Sequence, residues 1–505
     1  MRPPVPPPLV LRRVRLVPVR TAAPDGVVDV RVEDGVVTAV APSIAPRPAD
    51  HVVEADGRWA APGLWDAHVH LEQWALSRRR LDVGGTCGPD EVVRRVAEHV
   101  RTLPDPTSVV LGYGHRSAAW SRPPTVTELD AVSGDHPVAL VSGDAHNGWL
   151  NSAALRLLGV PPRAGALVED EWFAVLARLA DLPVVEDRAG ARREALHDAV
   201  SRGVVGLVDM EFGAGPQTWA DDPDALLRVR VATYRETLDA VVGAGLRTGD
   251  PLPVGDGLLT MGPLKVIFDG SVNTATACCH DPYPSPGGGP ATTGTLNLPP
   301  GELVELLRRA GRAGLQVAVH AIGDAAVEHA LDAIGAAGAC GSIEHAQLVA
   351  PADLPRFAAL GVTASVQPAH LLDDRDVTAT LWPDRQDRCF PLRSLLAAGA
   401  TLALGSDAPV APLDPWLAMA AAVHRSGDSR PPWNPVEQLT AAEALAASTD
   451  GRTTLAPGAP ADLVLLDADP HAPPVDGGSA AVAAHLRAVG VAATFVRGRA
   501  VHLAL

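Results

Sequence analysis

Apolar and polar positions follow two different periods along this chain. From Leu9 to Val19 apolar and basic residues alternate, and shorter runs follow at Val27–Val32, Gly35–Val40 and Val52–Ala55, set off by Asp34-Gly35 and Asp56-Gly57. A period of two between Asp-Gly turns predicts antiparallel strands. The far end repeats the pattern at Ala461–Leu466, Val491–Val496 and, past Arg497-Gly498-Arg499, Ala500–Leu503. Neither end has enough apolar positions for a core of its own. Together, residues 1–61 and 455–505 predict one composite β-sandwich, since domain termini often lie close together.

Residues 62–454 read differently. Eight apolar runs, Leu64–His70, Val204–Met210, Arg228–Thr233, Gly262–Phe268, Leu315–His320, Gly341–His345, Val362–Val366 and Leu402–Asp407, alternate with amphipathic stretches such as Glu302–Ala313, Ala325–Ala337, Pro351–Leu360 and Pro391–Ala398. This alternation predicts an α/β fold, a (β/α)8 TIM-like barrel. The first interval is far longer than the rest. Residues 71–200 are therefore read as an insertion after strand one, with its own strand at Val138–Val141 and a helical piece at Asn151–Leu158. Pro282–Pro300 reads as a loop after strand four. Its Gly287-Gly288-Gly289 lacks the GK[ST] ending that lets a glycine loop cradle phosphate.

Composition narrows the functional classes. Of 505 residues 47% are hydrophobic and 20% charged, as in a folded globular protein. A net charge of -17 without a basic cluster argues against a nucleic-acid partner. No apolar stretch is long enough for a membrane span, and Met1-Arg2-Pro3-Pro4 does not open a signal peptide. Cys87, Cys278, Cys279, Cys340 and Cys389 show no metal-finger spacing, and so sparse a set suits a reducing, cytoplasmic location. The expected partner is a small-molecule substrate, and a homo-oligomer is compatible with these features. One further count matters: of 42 Lys and Arg residues a single one, Lys265, is lysine, which leaves 41 arginines. A buried lysine can lose its proton, whereas a guanidinium keeps it.

Candidate chemistry collects at strand ends. His68 and His70 close the first barrel strand and, at i and i+2, share one face. His320, His345 and Asp407 end strands five, six and eight, and Lys265 lies within strand four. The C-terminal strand ends of such a barrel converge on the active-site face. Imidazoles and a carboxylate converging there suit one or two divalent ions, Zn2+ foremost. Lys265 can serve as a plain amine that binds substrate or, after reaction with CO2, as a carbamate that bridges two metals. Asp407 is the candidate general base. Trp65, Trp74, Trp120 and Trp149 are candidates for pocket walls or for core packing.

These residues, with Pro62-Gly63-Leu64-Trp65-Asp66-Ala67-His68, Ser142 to Asn151, Leu264 to Ser271, His320-Ala321-Ile322-Gly323-Asp324 and Gly405-Ser406-Asp407, closely resemble the metal-binding pattern of the amidohydrolase superfamily, YtcJ-like branch, which includes N-substituted formamide deformylases. One local departure is Ile267 where the branch usually has Phe. The resemblance spans nearly the whole chain and implies hydrolysis of an amide-like C–N bond by a metal-activated water. It implies that His68, His70 and Asp407 hold the more buried ion, that His320 and His345 hold a second, and that Lys265 bridges them. It also implies that the segment holding Asp144 and His146 lines the substrate pocket; His115, in the Gly112-Tyr113-Gly114-His115 loop, is a further pocket candidate. A deaminase on the same barrel is the alternative; such deaminases commonly lack the strand-four lysine. A noncatalytic binding protein would be expected to have lost one of the ligands.

Overall fold

The computed structural model describes the chain except residues 1–6, 104, 106–107, 118–119, 144–146, 177, 180–187, 213–214, 221–222, 285–290 and 473–476. Two compact units emerge, one formed by Met1–Leu71 with Leu196–Leu505, the other by Glu72–Ala195. Among the described residues no helix is long and apolar enough to cross a membrane.

The first unit contains the predicted barrel. Its strands are β1 (Leu64–Val69), β2 (Val204–Asp209), β3 (Arg228–Thr233), β4 (Leu259–Ile267), β5 (Val317–Ala321), β6 (Gly341–His345), β7 (Thr363–Val366) and β8 (Thr401–Leu404). All adjacent pairs are parallel, in chain order. The seam between β1 and β8 is closed just beyond β8: Asp407 N donates to His68 O at 2.7 Å, and His70 N donates to Ala408 O at 2.9 Å. β2 is buried along its whole length, as a strand covered on both faces must be. The helices begin and end where local chemistry dictates. Pro300–Arg312 opens on a proline and buries Leu303, Leu307 and Ala310 on one stripe. Asp324–Ala337 stops at Gly338, which adopts a left-handed φ of 61°.

Strands from both termini form one eight-stranded mixed sheet. Leu9–Leu16 is its shared strand. Leu9 to Arg12 pair with His51–Glu54, and Arg15 and Leu16 pair with Trp59–Pro62, with an irregularity between Leu11 and Val14 and Arg13 at φ 57°. Such a bulge lets one strand serve two ladders around a common core. Leu9, Leu11, Val30, Leu463, Leu465 and Phe495 fill that core. The sequence pattern misses Trp59–Pro62, which pairs antiparallel with Leu463–Leu466 and leads through Gly63 into β1. It also misses the helix Gly478–Ala488.

The second unit has a five-stranded sheet of its own, ordered Leu167–Val168, Asn147–Leu150, Val138–Ser142, Val110–His115, Leu81–Asp82. The two apolar clusters of this unit include Leu155, Trp172 and Leu167 in one and Val92, Leu129 and Trp149 in the other.

Because the two termini build one core, removing residues 1–55 takes away Leu9, Leu11 and Val30 and leaves Leu465 and Phe495 exposed. We expect that truncation to be insoluble or to melt well below the full chain. Phe495→Ala, which keeps every strand, should cost about 3–5 kcal/mol in denaturant unfolding. A soluble truncation with an unchanged melting temperature would contradict a shared core.

Candidate metal centre

The end of β1 and the chain just after β8 set the geometry. His68 and His70 are both buried, and Asp407 lies across the closed seam. His68 Nε2 is 3.3 Å and His70 Nε2 3.4 Å from Asp407 Oδ1. From the other side, His370 Nε2 stands 3.9 Å from Asp407 Oδ2. Among the described residues two triads can hold an ion, His68 with His70 and Asp407, and His345 with His370 and Asp407. In each, one donor atom per residue lies within 4.8 Å of the others. Asp407 and His345 reach these positions on left-handed backbone, φ 56° and 73°. Residues without glycine's freedom adopt such φ values at a cost, and functional sites are where that cost is commonly found.

Carboxylates orient the imidazoles. Burial holds the His68 pKa down to about 4, so its ring is neutral. The Glu344 carboxyl is itself buried, yet His68, Lys265 and Ser342 hold it ionised. His68 Nδ1–H therefore donates to Glu344 Oε2 at 2.8 Å, which leaves the Nε2 lone pair for a metal. His320 Nδ1 donates to Asp269 Oδ1 at 3.0 Å, and Asp269 is fixed in turn by the backbone N–H groups of Ile322, Gly323 and Cys278. The His320 ring meets His345 edge-on, with centroids 4.6 Å apart, but His320 belongs to neither triad.

Lys265 is buried, and its Nζ lies 3.2 Å from His68 Nε2. Burial pulls its pKa down, against the attraction of Glu344 and Asp407. Asp407 is held well below the usual carboxylate range, because the histidines around it overcome its own burial. These groups fit a divalent cation. His70 Nδ1, His345 Nδ1 and His370 Nε2 are buried without hydrogen-bond partners, and imidazole nitrogens beside a carboxylate are the donor chemistry of zinc and its neighbours. At the rim, Phe212 stacks on His70 with centroids 4.7 Å apart and is half exposed.

The structure thus brings His68, His70, Asp407, Lys265 and His345 together and sets His320 at their edge. His115, in the second unit, is buried with its Nε2 on Leu140 O and its ring against Trp120. Asp144 and His146 lie outside the described residues. Trp65, Trp74, Trp120 and Trp149 are all buried. Sequence reasoning missed Glu344, Asp269, Phe212 and His370. Glu344 directly precedes a candidate ligand, and Asp269 opens the Asp-Gly-Ser motif, so both carried a signal. His370 starts the helix His370–Leu381, four residues past β7, where no strand-end pattern marks it.

A parallel barrel with a histidine–carboxylate centre at its strand ends defines a metal-dependent hydrolase. The particular family follows from comparison. The profile described as "Amidohydrolase family" matches residues 51–502, and the chain belongs to that family. Protein LONG AFTER FAR-RED 3 of Arabidopsis thaliana is 31% identical over 469 residues, covering 82% of this chain and 79% of that one. The N-substituted formamide deformylase of Arthrobacter pascens is 27% identical, covering 84% and 86%. The crystal structure of an uncharacterized metal-dependent hydrolase from Pyrococcus furiosus superimposes with a TM-score of 0.74 at 25% identity, over 92% of this chain and 100% of that one.

Glu344 touches His68 without belonging to either triad. Glu344→Gln should leave the fold intact and weaken Zn2+ binding by about 10–100-fold, read by isothermal titration. Wild-type affinity in that variant would show that the Glu344 charge is irrelevant to the centre.

Proposed function

We propose that this protein hydrolyses an amide-like C–N bond, other than a peptide bond, in a small N-substituted amide, by a centre built on His68, His70, His320, His345, Asp407 and Lys265. The carrying observation is the convergence of His68, His70 and Asp407, with the Nζ of the chain's single lysine 3.2 Å from His68 Nε2. When bound, one or two divalent ions, Zn2+ by the donor set, supply the charge that acidifies the attacking water and polarises the scissile carbonyl.

The chain's own groups do the rest. Asp407 accepts the proton from water as oxygen attacks the carbonyl carbon, then passes it to the departing nitrogen as the C–N bond breaks. The products are a carboxylic acid and an amine. Glu344 and Asp269 hold the His68 and His320 rings, and Phe212 offers an apolar face to the substrate. The name of the Arthrobacter deformylase supports an N-substituted amide.

Lys265 has a reason to be lysine. Its lone pair adds to the carbon of CO2, one proton leaves the nitrogen, and the resulting N-carboxylate carries one negative charge. The lowered pKa supplies the free amine this needs. A guanidinium does not form that adduct and would set a fixed positive charge against His68.

Chelation should abolish amide hydrolysis, and Zn2+ should restore it; full turnover in protein shown metal-free by elemental analysis would refute the reading. Lys265→Arg should be nearly as damaging as Lys265→Ala, each lowering kcat/KM by about 100-fold or more, with less metal bound. Turnover at the wild-type level in Lys265→Arg would remove the argument for a chemically distinct lysine.

A further inference from the structure

His370 is not among the strand-end groups that the sequence marks, yet it faces the centre. It is buried, and its Nε2 has no hydrogen-bond partner. A buried polar atom left unpaired is costly, so its presence needs a ligand or a compensating reason. His345 Nδ1 is in the same condition. The two rings lie nearly parallel, with centroids 6.1 Å apart and planes inclined by 25°. Both belong to a triad with Asp407, and His370 faces Oδ2, the carboxylate oxygen turned away from His68 and His70.

Resting on the metal-dependent reading above, we propose that His370 is a ligand of the second ion, together with His345 and Asp407, so that the two oxygens of Asp407 serve two metal positions. His68 and His70 take the ion on the Oδ1 side, and His345 and His370 take the ion on the Oδ2 side. His320, whose Nδ1 is tied to Asp269 as His68 Nδ1 is to Glu344, keeps its Nε2 for the same second position. The helix His370–Leu381 fixes the new ligand, since His370 is its first residue and His370 N donates to Gln367 O at 3.1 Å. Gln367 is itself buried directly after β7, so the loop that delivers the imidazole is anchored to a barrel strand.

The test uses the full chain, stripped of metal and titrated with Co2+, with stoichiometry from elemental analysis and the visible spectrum. Wild type should bind two equivalents. His370→Ala should keep the first and weaken the second by at least about 100-fold, and added imidazole should restore it. His345→Ala should lose the same equivalent, and His68→Ala the other. Far-ultraviolet circular dichroism and melting temperature report whether each variant is folded, and His370→Gln repeats the test if His370→Ala is not. Two equivalents at wild-type affinity in folded His370→Ala or His370→Gln would overturn the assignment. So would a wild type that takes one equivalent with or without His370. A wild type that binds no Co2+ or Zn2+ would instead overturn the metal-dependent reading itself.

Discussion

The seam where β8 meets β1 determines most of what this barrel can do. Eight parallel strands leave one pair of backbone edges to be joined, and here they are joined within the Gly405 to Ala408 segment. Asp407 N reaches His68 O, and His70 N reaches Ala408 O, so the closing hydrogen bonds run through the candidate ligands themselves. Asp66 reinforces the joint, since its Oδ1 accepts from both His68 N and Ser406 N. Burial lifts the Asp66 pKa to about 7, which those hydrogen bonds oppose. Gly405 is required for contact this close: a Cβ there would lie 2.8 Å from His68 N and 3.1 Å from Asp66 Oδ1. The distances among His68, His70 and Asp407 are thus by-products of barrel closure rather than of separate loop geometry.

Burying so many ionisable groups in one place is tolerable only if each has a reason to be neutral or a partner of opposite charge. His68 and His345 meet the first condition, because burial drives both towards the neutral ring. Glu344 is held ionised by hydrogen bonds from His68 and Ser342 and by the nearby charge of Lys265, and Asp407 by the imidazoles of His68, His70 and His345 around it. The arrangement carries two carboxylates against neutral imidazoles and a lysine whose proton is weakly held. A divalent cation completes that balance and also gives a partner to the imidazole nitrogens that have none. Left-handed backbone at His345 and Asp407 is consistent with this, since strained positions persist where surrounding structure over-determines them.

How much of this was legible in the sequence follows from which signals are periodic. β2 and β5 are nearly continuous apolar runs, and such runs between amphipathic helices give the barrel away. The two-residue period at both termini likewise exposes the split sheet. Trp59–Pro62 escaped because four residues ending in proline show no period, and its strand character comes from pairing with Leu463–Leu466. Among site residues, His68, His70, His320 and His345 stand at strand ends and can be read directly. Glu344 carried a signal in directly preceding His345, but its role rests on the hydrogen bond from His68, which the pattern of the chain does not show. His370 had no sequence signal, since the loop from β7 to its helix sets its place.

The sheet of the two termini bears on the chemistry through chain continuity. Trp59–Pro62 is held between Leu9–Leu16 and Leu463–Leu466, and only Gly63 separates it from the strand that ends in His68 and His70. Gly63 has no room for a side chain, because a Cβ would fall 2.2 Å from Val205 Cγ1 on β2. Asp462 ties the same region down again: its carboxylate binds Arg228 on β3 at 2.6 Å and accepts from Arg497 N at 2.8 Å, and its carbonyl accepts from Gly63 N. β1 therefore enters the barrel from a fixed point and leaves it at the seam with Asp407. A strand pinned at both ends cannot slide in register without breaking one set of hydrogen bonds. Since a slip of one residue would turn His68 and His70 away from Asp407, the pairing of the two termini, far from the metal ligands in sequence, is part of what keeps them aligned.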